Sequence, residues 1–135
     1  MSGTALPYEF PIDVAQDDID FMGHVNNASY FRYMESVRID WFKDIHELPD
    51  PQGVGPVIIN AFCSFHQSLV YPGDIRVRMY ASDPGRSTFE TWATIEYVHQ
   101  PGVLYATGGA TTIWVDMKSH KSVPLPDHIR QLVTP

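Results

Sequence analysis

The sequence is short of cysteine, of positive charge and of long apolar runs. Its one cysteine, Cys63, excludes an internal disulfide and is typical of a reducing compartment. No apolar run approaches the ~18 residues of a membrane span, and residues 1–8 lack the pattern of a signal peptide. Nine Lys and Arg against 16 Asp and Glu give a net charge of −7, which disfavours a nucleic-acid surface. We therefore expect a cytoplasmic protein that binds neither membranes nor nucleic acid.

The length and the apolar content of the chain are sufficient for an ordered hydrophobic core. The chain has 135 residues, of which 44% are hydrophobic and 13% aromatic. This length and composition predict a single globular domain over residues 1–135, with enough apolar surface for a core or a pocket. The acidic balance still permits one anionic small molecule, because a few local arginines can hold its phosphates.

The first half of the chain predicts one strand and one long helix. Apolar residues alternate over residues 8–14, which is typical of a half-buried strand, and Pro11 places that strand at a sheet edge. From Asn27 to about Ile45 the apolar spacing changes to that of a helix, and Asn26 or Asn27 is a suitable N-cap. Apolar side chains on several faces of this helix predict that it is largely buried. The stretch 48–56, rich in proline and glycine, predicts a loop after it.

The second half predicts four strands and a short terminal helix. The strands cover residues 57–71, 75–80, 89–97 and 103–116, and the short turns between them predict antiparallel pairing of successive strands. Gly108 and Gly109 predict a bulge or a close backbone approach in the last strand. Residues 126–132 predict one or two helical turns that begin at Pro126. The fold class is therefore α+β, with a curved antiparallel sheet wrapped around one long helix.

Residues 18–30 carry a motif that points to a family. The segment reads DIDFMGHVNNASY, and it resembles the signature of hotdog-fold thioesterases of the 4-hydroxybenzoyl-CoA thioesterase type. The continuation FRYMESVR resembles the start of that family's central helix. Weaker similarities follow in the family's order, at YPGD (71–74), GRSTF (85–89), WVD (114–116) and VPLP (123–126).

The resemblance implies a hotdog fold and a homodimer or homotetramer with active sites at the subunit interface. It implies hydrolysis of acyl-CoA thioesters, or of acyl carrier protein thioesters, without a metal or redox cofactor. By position in the motif, Asp20 is the catalytic carboxylate, which acts as general base or as nucleophile. The backbone N–H of Asn27, at the helix start, is the group that polarises the thioester carbonyl. The loop by itself, without the motif, favours the alternative that Asp20 caps the loop or the helix.

Further positions are predicted to bind substrate, and each has a structural alternative. Gly23 lets the loop pass close to the substrate, and His24 either contacts substrate or is a hydrogen-bonded structural residue. Glu35 either assists at the site or pairs with a neighbouring arginine, and Arg86 either binds the nucleotide end of coenzyme A or is a solvated turn charge. The side chain of Asn26 can cap the helix, and Tyr30 can line the core. The full predicted substrate-binding set is Gly23, His24, Val25, Asn26, Tyr30, Glu35 and Arg86.

Other chemistries have less support in the sequence. His46 and Glu47 are followed by Leu48 and Pro49, so the helical two-histidine zinc motif is absent and no metal site is predicted. Cys63 lies in an apolar stretch, which favours a buried small side chain over a nucleophile. A hotdog dehydratase or hydratase needs an acid–base pair whose histidine motif is missing. A non-catalytic acyl-CoA-binding protein on the same fold remains the other alternative.

Overall fold

A computed structural model describes residues 6–135 of the chain. A short 3₁₀ turn covers Gln16–Asp18. The strands and helices, in chain order, are β1 (Tyr8–Asp13), α1 (Asn27–Asp44), β2 (Val54–Phe65), β3 (Asp74–Ser82), β4 (Thr88–Tyr97), β5 (Ala106–Asp116), β6 (Lys121–Ser122) and α2 (Asp127–Val133). Neither helix of this described part is long and apolar enough to cross a membrane.

The strands form one antiparallel sheet in the order β1-β3-β4-β5-β2, with β6 paired to β5. The sheet curves around α1, so the predicted α+β hotdog class is confirmed. The prediction that successive strands always pair is wrong for β2 and β3, because β2 lies against β5. The segment between them leaves the sheet: Leu69 accepts a hydrogen bond from Val25, and Gly73 accepts one from Val14. Those contacts carry the chain across to the far edge, beside β1.

The long helix α1 follows its predicted bounds to within one residue. Its inner side is fully buried against the sheet at Tyr33, Val37 and Trp41. The expectation that most of its surface is buried is wrong for this chain, because Phe31 is 39% and Ile39 is 42% exposed. The sheet covers only one side of α1, so nothing in the described part of the chain covers the apolar groups on the opposite side.

The inner face of the sheet places β5 very close to α1. A side chain at Gly108 would put its Cβ 2.7 Å from the sulfur of Met34 and in collision with the carbonyl oxygen of Phe62. The close approach predicted for this position is therefore confirmed. The irregularity in pairing lies on β2 instead, between Ile58 and Asn60.

Several predicted boundaries are wrong by a few residues. β2 begins at Val54 and ends at Phe65, whereas residues 57–71 were expected, and β5 begins at Ala106 instead of Val103. Pro126 is the N-cap of α2 and not its first residue. The two-residue strand β6 was not predicted, because it is too short to show a periodic pattern. The edge position expected for Pro11 is confirmed, since β1 is the last strand on its side of the sheet.

Candidate active site

The loop between β1 and α1 folds back on itself as a narrow hairpin. Its ends are joined by a hydrogen bond from the Asn26 N–H to the Asp18 carbonyl, at 2.7 Å, and by a bridge between Ile19 and Val25. Val25 is buried and donates its N–H to the Leu69 carbonyl at 2.9 Å. The hairpin is therefore attached on one side to the helix start and on the other to the segment that follows β2.

Asp20 opens the tight turn at the end of this hairpin. Its N–H donates to the His24 carbonyl at 2.9 Å, and its carbonyl accepts from the Gly23 N–H at 3.0 Å. Its Oδ1 accepts from the Met22 N–H at 2.9 Å, which orients the carboxylate. Gly23 has φ +82° with no atom near its absent Cβ, so glycine is needed here for backbone conformation. These three bonds hold Asp20 on a rigid turn.

The start of α1 leaves one backbone donor without a partner. The Asn26 side chain caps the helix by accepting from the Ala28 N–H at 2.8 Å, and its carbonyl accepts from the Ser29 N–H at 2.9 Å. Within residues 6–135, the Asn27 N–H makes no hydrogen bond. An unpaired N–H at a helix start carries partial positive charge and is suited to a developing oxyanion.

A pocket of about 280 Å³ lies between this hairpin, the start of α1 and the segment after β2. Five residues that the sequence singled out line it together: Asp20, His24, Val25, Asn27 and Tyr30. Five others complete its wall: Met22, Phe65, His66, Gln67 and Ser68. Asp20 and Asn27, whose N–H has no partner within residues 6–135, therefore line one cavity.

Tyr30 fixes the far wall of the pocket. Its buried hydroxyl accepts from the Leu69 N–H at 3.0 Å and donates to the Gln67 carbonyl at 3.4 Å. Its ring meets Phe65 edge to face, with ring centroids 4.9 Å apart. Burial raises the pKa of Tyr30, so the hydroxyl remains protonated at neutral pH. Tyr30 therefore acts on the pocket by holding residues 65–69 in place.

Comparison with known proteins agrees with this fold and motif. The model of the thioesterase-like superfamily matches residues 14–133. The chain belongs to this superfamily. The match includes the hairpin, the long helix and every strand from β2 onward, so the resemblance predicted from residues 18–30 is confirmed.

Solved structures of other thioesterase-like proteins are similar over most of their length. A proposed acyl-CoA thioesterase from Xanthomonas campestris is 32% identical, with 82% of this chain and 93% of that one covered and a TM-score of 0.74. The PA2801 protein of Pseudomonas aeruginosa, a proposed thioesterase, is 29% identical, with 93% and 96% covered and a TM-score of 0.83. A 1,4-dihydroxy-2-naphthoyl-CoA thioesterase from Synechocystis shares the fold, with a TM-score of 0.81, 15% identity and 93% of each chain covered.

Sequence reasoning missed the part of the pocket wall formed by residues 66–68. The expected strand continues through them to Tyr71, and this expectation gives no reason to place them beside Asp20. The polar run His66-Gln67-Ser68, between apolar neighbours, was the available signal that the strand had ended. His66 in the structure hydrogen-bonds Thr107 through Nε2, at 2.9 Å.

Four predicted substrate-binding residues do not line this pocket: Gly23, Asn26, Glu35 and Arg86. Gly23 and Asn26 still belong to the hairpin that carries Asp20. Glu35 lies two turns along α1 from Asn27 and faces a separate groove next to β2. Arg86 lies in the turn before β4, where its neighbour Phe89 packs against Trp41 near the opposite end of α1. In this chain, therefore, the helix separates Arg86 from Asp20, and the Arg86 side chain is exposed.

Neither the single cysteine nor a metal site offers an alternative chemistry within residues 6–135. Burial raises the pKa of the Cys63 thiol to about 11, so Cys63 is protonated at neutral pH and is a weak nucleophile. Within residues 6–135, no three His, Cys, Asp or Glu side chains come together in a way that could hold a metal ion.

Proposed function

We propose that this protein hydrolyses acyl-CoA thioesters in the pocket between Asp20 and the start of α1. The observation that supports the proposal most directly is that Asp20 lines the same cavity as Asn27, whose N–H has no partner within residues 6–135. Membership of the thioesterase-like superfamily agrees with this chemistry.

In the proposed reaction, the Asn27 N–H and the Asp20 carboxylate have separate roles. The Asn27 N–H donates to the carbonyl oxygen as it gains negative charge, and one such donor contributes about 3 kcal/mol of transition-state stabilisation. Asp20 either takes a proton from the water that attacks the carbonyl or attacks it directly to form an anhydride that water then cleaves. In both routes the C–S bond breaks, and the products are a free acid and coenzyme A. Hydrolysis in ¹⁸O-labelled water under single-turnover conditions would establish the anhydride route if ¹⁸O appears in Asp20, because only water attack on the aspartyl carbonyl of an anhydride places it there.

The proposed function is tested by a thiol-release assay with acyl-CoAs from acetyl to palmitoyl, together with benzoyl- and phenylacetyl-CoA. We expect turnover of one acyl class, which also identifies the substrate. Tight binding of one acyl-CoA without turnover of any would contradict hydrolysis and would favour the non-catalytic binding protein. The same panel on acyl carrier protein distinguishes the two possible carriers.

We also propose that the protein works as a homo-oligomer formed across α1 and β2. Strand β2 is twelve residues long, and its outer edge has no partner strand within the described part of the chain. Long apolar edges are normally covered in soluble proteins, because they otherwise recruit other chains. Large apolar side chains are exposed along this strand and α1: Phe31, Ile39, Val54, Val57, Ile58, Ile59 and Phe62.

A buried arginine supports a second copy as the covering partner. Arg38 is only 9% exposed, yet its guanidinium makes no hydrogen bond or salt bridge within residues 6–135. Burial lowers the pKa of Arg38, although the negative charge of Glu35 on the same helix acts in the opposite direction. Both side chains line the groove between α1 and β2, together with Phe31 and Ile58. A buried cation normally requires an anionic partner.

The positions of Glu35 and Arg38 fit a twofold axis. They lie next to the midpoint of α1, which spans Asn27–Asp44. When two copies of the helix cross antiparallel between residues 36 and 37, one residue past the midpoint, Glu35 of each copy faces Arg38 of the other, and the two contacts are equivalent by symmetry. The same arrangement brings the Arg86 end of one copy alongside the Asp20 end of the other.

The reciprocal ion pair predicts a charge-swap experiment. Glu35→Arg and Arg38→Glu should each weaken the dimer by at least about tenfold in Kd, because each leaves two buried like charges facing each other. The double variant, which restores opposite charges, should recover most of the affinity. Sedimentation equilibrium measures the Kd of the dimer for the two single variants and the double variant. Unchanged dissociation in the single variants, or a double variant as weak as either, would contradict this interface.

Arg86 is proposed to contact the nucleotide end of coenzyme A bound in the partner's pocket. Arg86→Ala should then raise KM for CoA esters about fivefold while leaving short thioesters without the nucleotide unaffected, because one exposed phosphate contact is lost. Steady-state kinetics on both substrate classes measure the difference. Lys118→Ala, which removes another exposed turn charge, is the matched control. An equal rise in KM for both classes would exclude a nucleotide contact.

A further inference from the structure

We infer that Asp18 is a positioning residue, whose buried carboxylate sets where Asp20 stands relative to the Asn27 N–H. The inference rests on the proposed function of the pocket. Asp18 does not line the pocket, and it acts only through the hairpin that carries Asp20.

The carboxylate of Asp18 accepts hydrogen bonds from three donors, two on α1 and one in the loop that follows β1. Asp18 is 7% exposed. Its Oδ2 accepts from the Tyr33 hydroxyl at 2.7 Å and from the Ala15 N–H at 3.0 Å, and its Oδ1 forms a salt bridge with Arg32. Burial and the bond to Asp18 both raise the pKa of Tyr33, so this hydroxyl remains a donor. A buried charge with this many partners holds its neighbours in one arrangement.

The backbone of Asp18 closes the hairpin, and its side chain attaches the hairpin to the helix. Its carbonyl accepts from the Asn26 N–H, the last residue before α1. Arg32 and Tyr33 lie five and six residues after Asn27, or about 8 Å along the helix axis. One residue therefore fastens the hairpin to α1 at two separate places. Two attachment points fix both the distance of the hairpin from α1 and its orientation relative to α1. The contact at Asn26 alone fixes only the distance.

This arrangement has a specific consequence for catalysis. A carbonyl held by the Asn27 N–H must present its carbon to the water or carboxylate at Asp20, so the two groups need a fixed separation. Without the side-chain attachment, the hairpin is held only by its contacts at Asn26 and at Val25 with Leu69, so the turn that carries Asp20 can shift while the hairpin remains folded. A displacement of ~1 Å at a reacting centre can cost about 100-fold in rate.

Asp18→Asn tests the inference. Asparagine keeps the size of the side chain but removes the charge and replaces one acceptor oxygen by a donor group. We expect kcat to fall by about 30-fold and KM by less than threefold, because the pocket that binds substrate remains while the reacting groups lose alignment. Active-site concentration is taken from the folded fraction, so that partial unfolding cannot account for the loss. Asp18→Glu should recover part of kcat, since a carboxylate returns.

Two tyrosine variants provide a matched comparison. Tyr33→Phe removes one donor to Asp18 and should lower kcat about threefold. Tyr8→Phe removes a hydroxyl that lies against Asp40 and Asp44 near the other end of α1, and it should lower stability while leaving kcat unchanged. Equal kcat values in the two variants, or a kcat for Asp18→Asn that follows only the folded fraction, would overturn the inference.

Hydrogen exchange supplies a readout that does not depend on activity. In Asp18→Asn, amides of residues 20–25 should exchange at least about fivefold faster than in the wild type, whereas amides in β4 should be unchanged. In Tyr8→Phe, residues 20–25 should exchange at the wild-type rate. Unchanged exchange in Asp18→Asn contradicts the positioning role even if the wild type hydrolyses no thioester. Faster exchange with an inactive wild type would contradict the proposed function alone.

Discussion

Asp20→Asn is expected to lower kcat/KM for the preferred acyl-CoA by about 10³-fold, the loss typical of removing a general base. Asparagine retains an oxygen that can accept from the Met22 N–H, so the turn should keep its shape. What is lost is the negative charge that activates water or attacks the carbonyl. Thiol release under steady-state conditions measures the loss.

The nearby Asp17→Asn is the matched control for this experiment. Asp17 is exposed in the 3₁₀ turn before the hairpin and does not line the pocket. The Asp17→Asn variant, which undergoes the same chemical change, should retain wild-type activity. Circular dichroism and sedimentation should show an unchanged fold and oligomer for both variants. Full activity in Asp20→Asn would exclude this residue from catalysis and would move the search for a base to His24 or His66.

The largest effect on stability is expected for Gly108→Ala. A Cβ at this position collides with the Phe62 carbonyl oxygen on one side and meets the Met34 sulfur at 2.7 Å on the other. The sheet backbone cannot move away without breaking the β2–β5 ladder, so α1 must shift. We expect a loss of about 3 kcal/mol, which corresponds to a fall in Tm of about 10 °C, measured by thermal denaturation.

Gly55→Ala separates this collision from the general effect of adding a methyl group to a strand. Gly55 lies in β2, and a Cβ there would meet no atom within 4 Å. The substitution should be close to neutral or slightly stabilising, because it restricts the unfolded chain. If both variants lose the same stability, close packing of α1 on β5 is not the cause.

Local features of the fold could be predicted because their causes are local. The spacing of Tyr30, Met34, Val37 and Trp41 and the capping residue Asn26 are enough to place α1, since helix hydrogen bonds connect residues four apart. Strands ended by proline and glycine turns were located nearly as well. The end of β2 was not, because an apolar run continues in Leu69 and Val70 after the chain has left the sheet.

The residues of the candidate site could likewise be predicted from the sequence only in part. Asp20 and Asn27 could be named from the motif, and the hairpin between them is held by backbone bonds among residues 18–26. The opposite wall at residues 66–68 could not be named, because it reaches the site only through contacts with Tyr30 and Val25, which lie about forty residues away along the chain. The role inferred for Asp18 has the same origin: its partners are on the helix.

By itself, the sequence determined the element types, the superfamily and the motif that carries Asp20, since each depends on neighbouring residues or on a short pattern. The tertiary structure alone decided that β2 pairs with β5 and that residues 65–68 face Asp20. It also decided that Glu35 and Arg86 lie away from the pocket, and that Arg38 is buried and its guanidinium forms no salt bridge within residues 6–135. The physical reason is that these outcomes depend on how a curved sheet closes around a helix. That closure depends on packing between segments far apart in the chain, such as Gly108 against Met34. No local sequence pattern therefore predicts it.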